Sequence, residues 1–343
     1  MFKKLIALVL LSTLITAGFA VTVLVCPWVS KRFIPVFVHA AFGNVRIKDL
    51  DIARQTFRYP DRLMFKNVKG VVVLDDTPYT ISLPAATITG QRLFSSSARK
   101  AGLNIRKADI SSPVMSARGV DAEVSSIGLF SESSPANGVF TIENIQSLGY
   151  ALTDARGAFA AAPGRLTISP FEGKLYGGQG KADVLVTFEP EPAYVVKAQI
   201  SGVDIKMLEE VNPAVFSNMK GTVAGDIAVN GDSRGIRGAS GSLWSGPGAE
   251  VKAFLLKPLL DYIPQSTQKK ELERLIATAG NISLDTATLA IKDLTDERIS
   301  TKINLKSKKF NLDIGLALDL NIEGGLNNLL KLQEQFFTKE GDL

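Results

Sequence analysis

The body of the chain alternates apolar and polar residues with a period of two. In the longest run, every second position from Phe310 to Ile322 is apolar, and most of the positions between them are polar. Successive side chains of a strand point to opposite faces, so this run predicts one strand with a wholly apolar face. Shorter runs of the same kind occur at 182–188, 194–200, 223–229 and 303–305. No long helical pattern separates these runs, which predicts a mainly β, antiparallel body.

Four short stretches carry a helical pattern instead. Asp204 is suited to cap a short helix that Pro213 ends, and Ser266 is suited to cap a helix that ends at Gly280. Residues 252–263 are apolar nearly all round. In the last residues, 324–343, an amphipathic helix is predicted with an apolar stripe formed by Leu326, Leu329, Leu330, Phe336 and Phe337.

The N-terminal part of the chain is predicted to cross a membrane. No charged residue occurs between Leu5 and Ser30, and about 20 apolar residues in a helix span a bilayer core. A cleaved signal peptide is the alternative, because residues 18–20 (GFA) resemble a cleavage site. The apolar run continues well beyond that site, to Val29, which favours an uncleaved anchor. The short basic tail before it is expected in the cytoplasm and the body on the other side of the membrane.

These patterns divide the chain into four parts. Residues 1–32 form the cytoplasmic tail and the transmembrane anchor, and residues 33–164 form a β-rich region. Within this region the stretch from 95 to 165 is rich in Ser, Ala and Gly, and its alternation is too weak to show whether it joins the same sheet. Residues 165–323 form a second β-rich module with the strongest alternation, and residues 324–343 form the C-terminal helix.

Composition excludes most catalytic and metal chemistry. His39 is the only histidine and Cys26 the only cysteine. A structural zinc site uses four Cys or His ligands, and a Ser-His or Cys-His hydrolase needs an imidazole beside its nucleophile. The net charge of +5 is too small to indicate nucleic acid as a partner. We therefore expect no enzyme activity, no metal and no cofactor.

The apolar face of the predicted strands has two interpretations. In a β-sandwich it packs against a second sheet, which is the usual way for sheets to leave water. In a single long sheet curled along its length, the concave apolar face forms a groove for an equally apolar ligand. The unusual length of the 310–322 run and the membrane anchor favour this β-groove. The candidate groove residues are Val184, Val186, Phe188, Val196, Ile227, Val229, Ile303, Leu305, Phe310, Leu312, Ile314, Leu316, Leu318 and Leu320.

A glycine-rich segment carries a family resemblance. Residues 171–180 (FEGKLYGGQG) look like the F-x-G-x-L-Y-G-G-x-G turn of AsmA-like proteins. The order that follows is similar to the C-terminal module of AsmA: residues 202–204 (GVD) before a short helix, a G-x-V-x-G strand at 221–225, then 241–243 (GSL). The resemblance covers about 165–265 and, more loosely, 43–95. The candidate residues of the family turn are Gly173, Tyr176, Gly177, Gly178 and Gly180.

The resemblance implies a role in a bacterial envelope. It implies a single-pass inner-membrane protein whose periplasmic β-groove binds or conducts phospholipid acyl chains. Such a protein supports lipid transport to the outer membrane or assembly of that membrane, with phospholipid, the inner membrane and other envelope proteins as partners. The alternative function is a structural component of an envelope machine, similar to protein N of type II secretion. This chain is short for the family.

Overall fold

A computed structural model describes residues 26–28, 30–32, 34–35, 45–58, 61–74, 77–90, 100–113, 115–128, 136–147, 149–162, 164–188, 193–232, 235–278, 280–295 and 298–321. The chain divides into two compact units, Met1–Pro163 and Gly164–Leu343. The division lies beside the boundary at 164/165 expected from the sequence. Most of the predicted anchor and the whole of the predicted helix 324–343 lie outside the described residues.

The first unit contains a seven-stranded antiparallel meander. Each strand pairs with the next one along the chain. The strands are β1 (Val45–Arg58), β2 (Arg62–Leu74), β3 (Thr77–Gly90), β4 (Lys100–Ser111), β5 (Met115–Gly128), β6 (Ala136–Ser147) and β7 (Tyr150–Ala162). The Ser/Ala-rich stretch, whose register the sequence left open, therefore supplies β4–β7 to the same sheet as β1–β3.

β-Bulges interrupt the alternation of this first sheet. Ile47 lies opposite Val72 and Ile52 lies opposite Val68, so an odd spacing on β1 matches an even spacing on β2. The extra residue is accommodated near Asp49, which has φ of 50°. Positive φ recurs inside other strands of the unit, at Asn67, Lys107 and Asp154. Asn and Asp tolerate this conformation better than most residues, and bulges bend a strand and increase its twist.

The second unit contains an eight-stranded antiparallel sheet. Its strands are β8 (Arg165–Leu175), β9 (Gly178–Thr187), β10 (Ala193–Asp204), β11 (Thr222–Asp232), β12 (Gly235–Ser245), β15 (Thr286–Thr295), β16 (Arg298–Ser307) and β17 (Leu312–Asn321). They pair in this order. All are 10–12 residues long, about twice the usual strand length. The prediction of a mainly β, antiparallel chain with few helices is confirmed.

An insertion between β12 and β15 packs on one end of this sheet. It comprises β13 (Ala249–Lys252), a 3₁₀ helix (Ala253–Tyr262), a helix (Thr267–Ala277) and β14 (Asn281–Leu284), and we call it the cap. β13 pairs with β14 in a separate two-stranded sheet. Its largest fully buried side chains are Leu272, Ile282 and Leu284, none more than 2% exposed. The cap and β16–β17 together form the largest buried cluster among the described residues of the unit.

The predicted helix starts agree with the structure. The Asp204 carboxylate accepts a hydrogen bond from the Lys206 N–H at the start of a 3₁₀ helix, Ile205–Glu210. This segment continues into a short α-helix, α1 (Pro213–Phe216), so Pro213 begins a helix there instead of ending one. Ser266 accepts from the Lys269 N–H and caps the cap helix, α2 (Thr267–Ala277).

The strand predicted at 310–322 begins two residues later than expected. Residues 308–311 form a turn, and β17 covers Leu312–Asn321. Two features fix the turn: Asn311 has φ of 50°, and the Lys308 N–H donates to the Asp285 carboxylate at 2.6 Å. Phe310 therefore lies in the turn, where it packs against the cap cluster.

The helical residues that the structure describes before β1 are 27–28, 30–32 and 34–35. Within the part of the chain that the structure describes, no helix has both the length and the apolar character to span a bilayer.

Candidate functional site

Strand register places the predicted groove residues of the second unit on one face. Ile227 lies opposite Ala198 on one side and Gly241 on the other, and side chains directly opposite share a face. Following the opposite residues from each strand to the next identifies the positions of this same face on all eight strands, from β8 to β17. The apolar face, as we name it, contains the predicted residues Val184, Val186, Val196, Ile227, Val229, Ile303, Leu305, Leu312, Ile314, Leu316, Leu318 and Leu320.

The cap covers one end of the apolar face. Leu312 and Ile314 are each 4% exposed, Leu316 is 7% and Leu305 is 8%. All four belong to the buried cluster that contains the cap residues Leu272 and Ile282, and Ile303 packs against that cluster. These predicted groove residues therefore contact protein, and a ligand cannot reach them while the cap is in place.

The side chains on the rest of the apolar face are partly buried and partly exposed. Val184, Val186, Val196, Ile227 and Val229 are all of intermediate burial. The cap elements pack mainly on β16 and β17. Gly180, which lies on this face opposite Ile200, is informative because a Cβ built there meets nothing within 4 Å. We call the part of the apolar face between β8 and β12, away from the cap, the open region. Its large side chains are partly exposed, with free space at Gly180, whereas a Cβ at Gly225 or Gly241 would meet a backbone oxygen of a neighbouring strand within 2.5 Å.

Two predicted residues lie at the margin of this open region. Phe188 follows the end of β9 and is 51% exposed, and its N–H donates to the Gly164 carbonyl. Leu318, on β17 beyond the buried residues, is half-exposed. Leu320 is paired with Ile299 through the backbone, and its side chain lies outside the described set.

A row of apolar residues crosses the open region. Ala182, Ala198, Ile227 and Gly241 lie opposite one another on four successive strands, β9 to β12, and we call these four residues the apolar row. Its neighbours on the same face are also apolar: Val184, Val196, Val229 and Ala239 on one side, and Gly180, Ile200, Gly225 and Leu243 on the other. Ile227 is the largest residue of the row. The apolar row is therefore a band without polar side chains that runs across the strands.

The opposite face of the same strands is polar. Lys181, Lys197, Gln199 and Asp226 lie on it, between the positions of the apolar face. An open cleft of about 660 Å³ is lined mostly by residues of this face and also by Ala182, Ala198, Ile227 and Gly241 of the same strands. Lys181 pairs with Glu172 at 3.0 Å beside it. Its charged groups include both signs, so they neutralise one another. Apolar and charged surfaces are thus separated by the thickness of one sheet.

Burial changes the acidity of one group on the apolar face. Tyr194 lies opposite Val186. Removal of its phenol from water raises its pKa above the ordinary value, with a smaller contribution from the Asp232 carboxylate. The direction of this shift agrees with a poorly hydrated surface at this point.

The family-turn residues form a tight hairpin between β8 and β9. Tyr176 and Gly177 have φ of 45° and 78°, as a two-residue turn with positive φ at both central positions requires. Gly173 lies opposite Gly180 and Leu175 opposite Gly178. The Asp204 N–H donates to the Tyr176 carbonyl at 2.9 Å and ties the hairpin to β10. The structure explains this glycine pattern by backbone geometry.

Gly178→Ala should destabilise the second unit, whereas Gly180→Ala should not. A Cβ at Gly178 would collide with the Ser201 carbonyl and lie 2.5 Å from the Val203 nitrogen, both backbone atoms that cannot move away easily. Overpacking of this kind costs about 1–3 kcal/mol of unfolding free energy. Urea unfolding of both variants measures the difference. Equal stability of the two variants would contradict the close approach of this hairpin to β10.

The first unit also has an apolar face, built in the same way from residues that lie opposite one another, and we call it the first apolar face. Phe65, Ala86, Ile105, Ala122 and Phe140 lie opposite one another on β2 to β6. This face was not assigned as a site from the sequence, because the bulges break its alternation and many of its residues are Ala or Gly. The signal that identifies this face is that its few large residues lie opposite one another on neighbouring strands, and this becomes visible only when the register is known.

A helix covers part of the first apolar face. Ile34, one of the helical residues that precede β1, packs against the cluster of Ile52, Phe65 and Ala86. Lys31 in the same helical segment forms an ion pair with Asp51 on β1. The hydrogen bond from Lys31 holds the pKa of the Asp51 carboxyl below its usual value.

Charged residues occupy the polar side of the bulges in the first unit. The Lys107 N–H donates to the Asp121 carboxylate at 2.8 Å, and its ammonium pairs with Glu143. The hydrogen bond to Glu143 raises the pKa of Lys107. The Gly119 N–H donates to the Asp109 carboxylate at 3.0 Å. Side chains therefore satisfy backbone groups that the bulges remove from the sheet ladder.

Comparisons with protein families, with curated proteins and with solved structures find no match to this chain. Among the described residues, no group of three His, Cys, Asp or Glu side chains is arranged to hold a metal ion.

Proposed function

We propose that this chain is an envelope protein that binds or conducts phospholipid acyl chains on the apolar faces of its sheets. The observation that carries the proposal is the open region of the second unit. There, partly exposed valines and Ile227 form a continuous apolar surface across β9 to β12, and the cap packs mainly on β16 and β17. A hydrocarbon chain is the ligand that this chemistry favours, because the apolar row and its neighbours carry neither hydrogen-bonding nor charged side chains.

The dimensions suit an acyl chain. One leaflet of a bilayer core is about 15 Å thick, and the four strands β9 to β12, separated by three spacings of about 4.8 Å, span nearly the same distance. Each methylene removed from water contributes about 0.8 kcal/mol. Because the apolar row has no specific polar anchor, this energy changes little when the acyl chain moves along it. Such a surface can therefore hold a lipid and still let it slide.

We further propose that each sheet curls around its apolar side as a β-groove. Register shifts in both sheets support this, because bulges are the usual means of bending a sheet. They occur between Lys48 and Asp51 and between Ile105 and Ala108 in the first unit, and between Ile200 and Val203 and between Ile291 and Asp293 in the second. The role needs no catalytic residue, metal or cofactor.

The proposed location is the inner membrane, with the body in the periplasm and residues 5–30 as a single anchor. Two contacts support a close connection between anchor and sheet. Lys31, next to the apolar run, pairs with Asp51 on β1, and Ile34 packs on the first apolar face. The AsmA-like resemblance adds the expected purpose, which is lipid transport to the outer membrane or assembly of that membrane.

Native mass spectrometry of the detergent-extracted full chain tests this function. We expect bound phospholipid, and we expect most of it to be lost in the variant Val196→Asp. Lipid held only by the anchor would survive in that variant and would contradict the proposal. A lipid-free chain that instead purifies with other envelope proteins would favour the structural alternative, a component similar to protein N of type II secretion.

A further inference from the structure

The cap ends part-way along β17. Leu312, Ile314 and Leu316 are at most 7% exposed, whereas Leu318, next on the same face, is half-exposed. Among the described residues, the cap cluster contains Leu312, Ile314 and Leu316 but does not contain Leu318. The buried and uncovered parts of β17 therefore meet between Leu316 and Leu318.

The uncovered part continues across the neighbouring strands. Leu318 lies opposite Thr301, Thr301 opposite Ile291, and Ile291 opposite Gly241. The Thr301 hydroxyl donates to the Ala290 carbonyl at 3.0 Å, so its polar atom is already satisfied within the sheet. Gly241 adds no side chain to the surface. These four strands thus offer a strip that carries no charged side chain.

The sequence that follows β17 has the matching pattern. Residues 326–337 carry apolar side chains at helical spacing, with Asn, Lys, Gln and Glu between them. As a helix, these twelve positions measure about 18 Å, and the outer two of the four strands are about 14 Å apart, so the helix is long enough to cross the strip. The linker 322–325 contains Gly324 and Gly325 and reaches at most about 14 Å.

We propose that residues 326–337 dock as an amphipathic helix on this strip, beside the cap and over Leu318, Ile291 and Gly241. The occupant is this chain's own segment because a four-residue linker keeps it at an effective concentration in the millimolar range or above. A separate partner would have to exceed that concentration. If the proposed function holds, acyl chains compete with the segment for the same surface, and the segment fills the groove when lipid is absent.

Cysteine cross-linking of the full-length protein tests the docking. Cys26 is the only native cysteine, so Cys26→Ala gives a clean background. In it, the pair Ile291→Cys and Leu330→Cys places one thiol on the apolar face and one on the segment. The matched control pairs Leu330→Cys with Ala290→Cys, because Ala290 lies opposite Ser242 and Lys302 on the polar face. A short bismaleimide is the reagent.

We expect at least about ten times more intramolecular product from the Ile291 pair than from the Ala290 pair. Equal yields, or product only between two chains, would overturn the docking. Addition of short-chain phosphatidylcholine to the Ile291 pair tests the competition separately. Loss of the product supports displacement by lipid, whereas unchanged product leaves the docking intact and contradicts the lipid role of this strip.

Discussion

Replacing Ile227 with Asp should lower the phospholipid that copurifies with the chain by about tenfold or more. Ile227 is the largest side chain of the apolar row and is partly exposed on the apolar face. A carboxylate there forces either a buried charge or a hydrated gap under the acyl chain. Both cost well over the 1.4 kcal/mol that corresponds to a factor of ten. Quantitative lipid extraction from the purified protein measures the change.

Ala228→Asp is the matched control for this experiment. Ala228 is the next residue of β11, lies opposite Lys197 and Ser240, and belongs to the polar face. The two variants add the same charge one position apart, so they separate an effect of the face from an effect of charge. We expect Ala228→Asp to retain its lipid. Equal lipid content in both variants, with similar thermal unfolding, would show that the apolar face does not hold the lipid.

Leu272→Ala should remove about 2–5 kcal/mol of unfolding free energy from the second unit. Leu272 on α2 is 0% exposed and lies in the cluster that joins the cap to β16 and β17. Truncation leaves a cavity among residues that the two-stranded β13–β14 sheet holds in place, so the site cannot collapse freely. Urea unfolding followed by circular dichroism measures the loss.

Glu273→Ala provides the comparison on the same helix. Glu273 is exposed, so its replacement should change the unfolding free energy by less than about 0.5 kcal/mol. If Leu272→Ala were as mild as Glu273→Ala, the cap would not be packed on the sheet. The half of β17 from Leu312 to Leu316 would then be open to ligand as well.

The sequence predicts the faces of the sheet better than it predicts what covers them. Alternation at 182–188, 194–200 and 223–229 identifies side chains that the register does place on one face. The same alternation at β17 cannot distinguish Leu316, which the cap buries, from Leu318, which it does not. A period-two pattern predicts on which face of the sheet a side chain lies, but it does not predict whether another element covers that face. The cover comes from α2 and β14, which a separate part of the chain supplies.

The weaker predictions failed for local reasons. The strand expected from 310 begins at Leu312, because Asn311 adopts positive φ and closes a turn that alternation alone does not reveal. The first apolar face was missed because bulges such as the one near Asp49 shift the period by one residue. Both failures involve backbone conformations that a hydrophobic pattern does not encode, although Asn and Asp at these positions are compatible with them.

Site-specific photo-cross-linking along β10 in living cells is the most direct test of the central claim. A benzophenone side chain would replace, one at a time, Tyr194, Val196 and Ala198 on the apolar face and Val195, Lys197 and Gln199 on the polar face. We predict phospholipid adducts at the first three positions and none at the other three. Val195 is the decisive control because it is apolar and 38% exposed, yet lies on the polar face. Adducts at Val195 as strong as those at Val196 would contradict a lipid site on the apolar face.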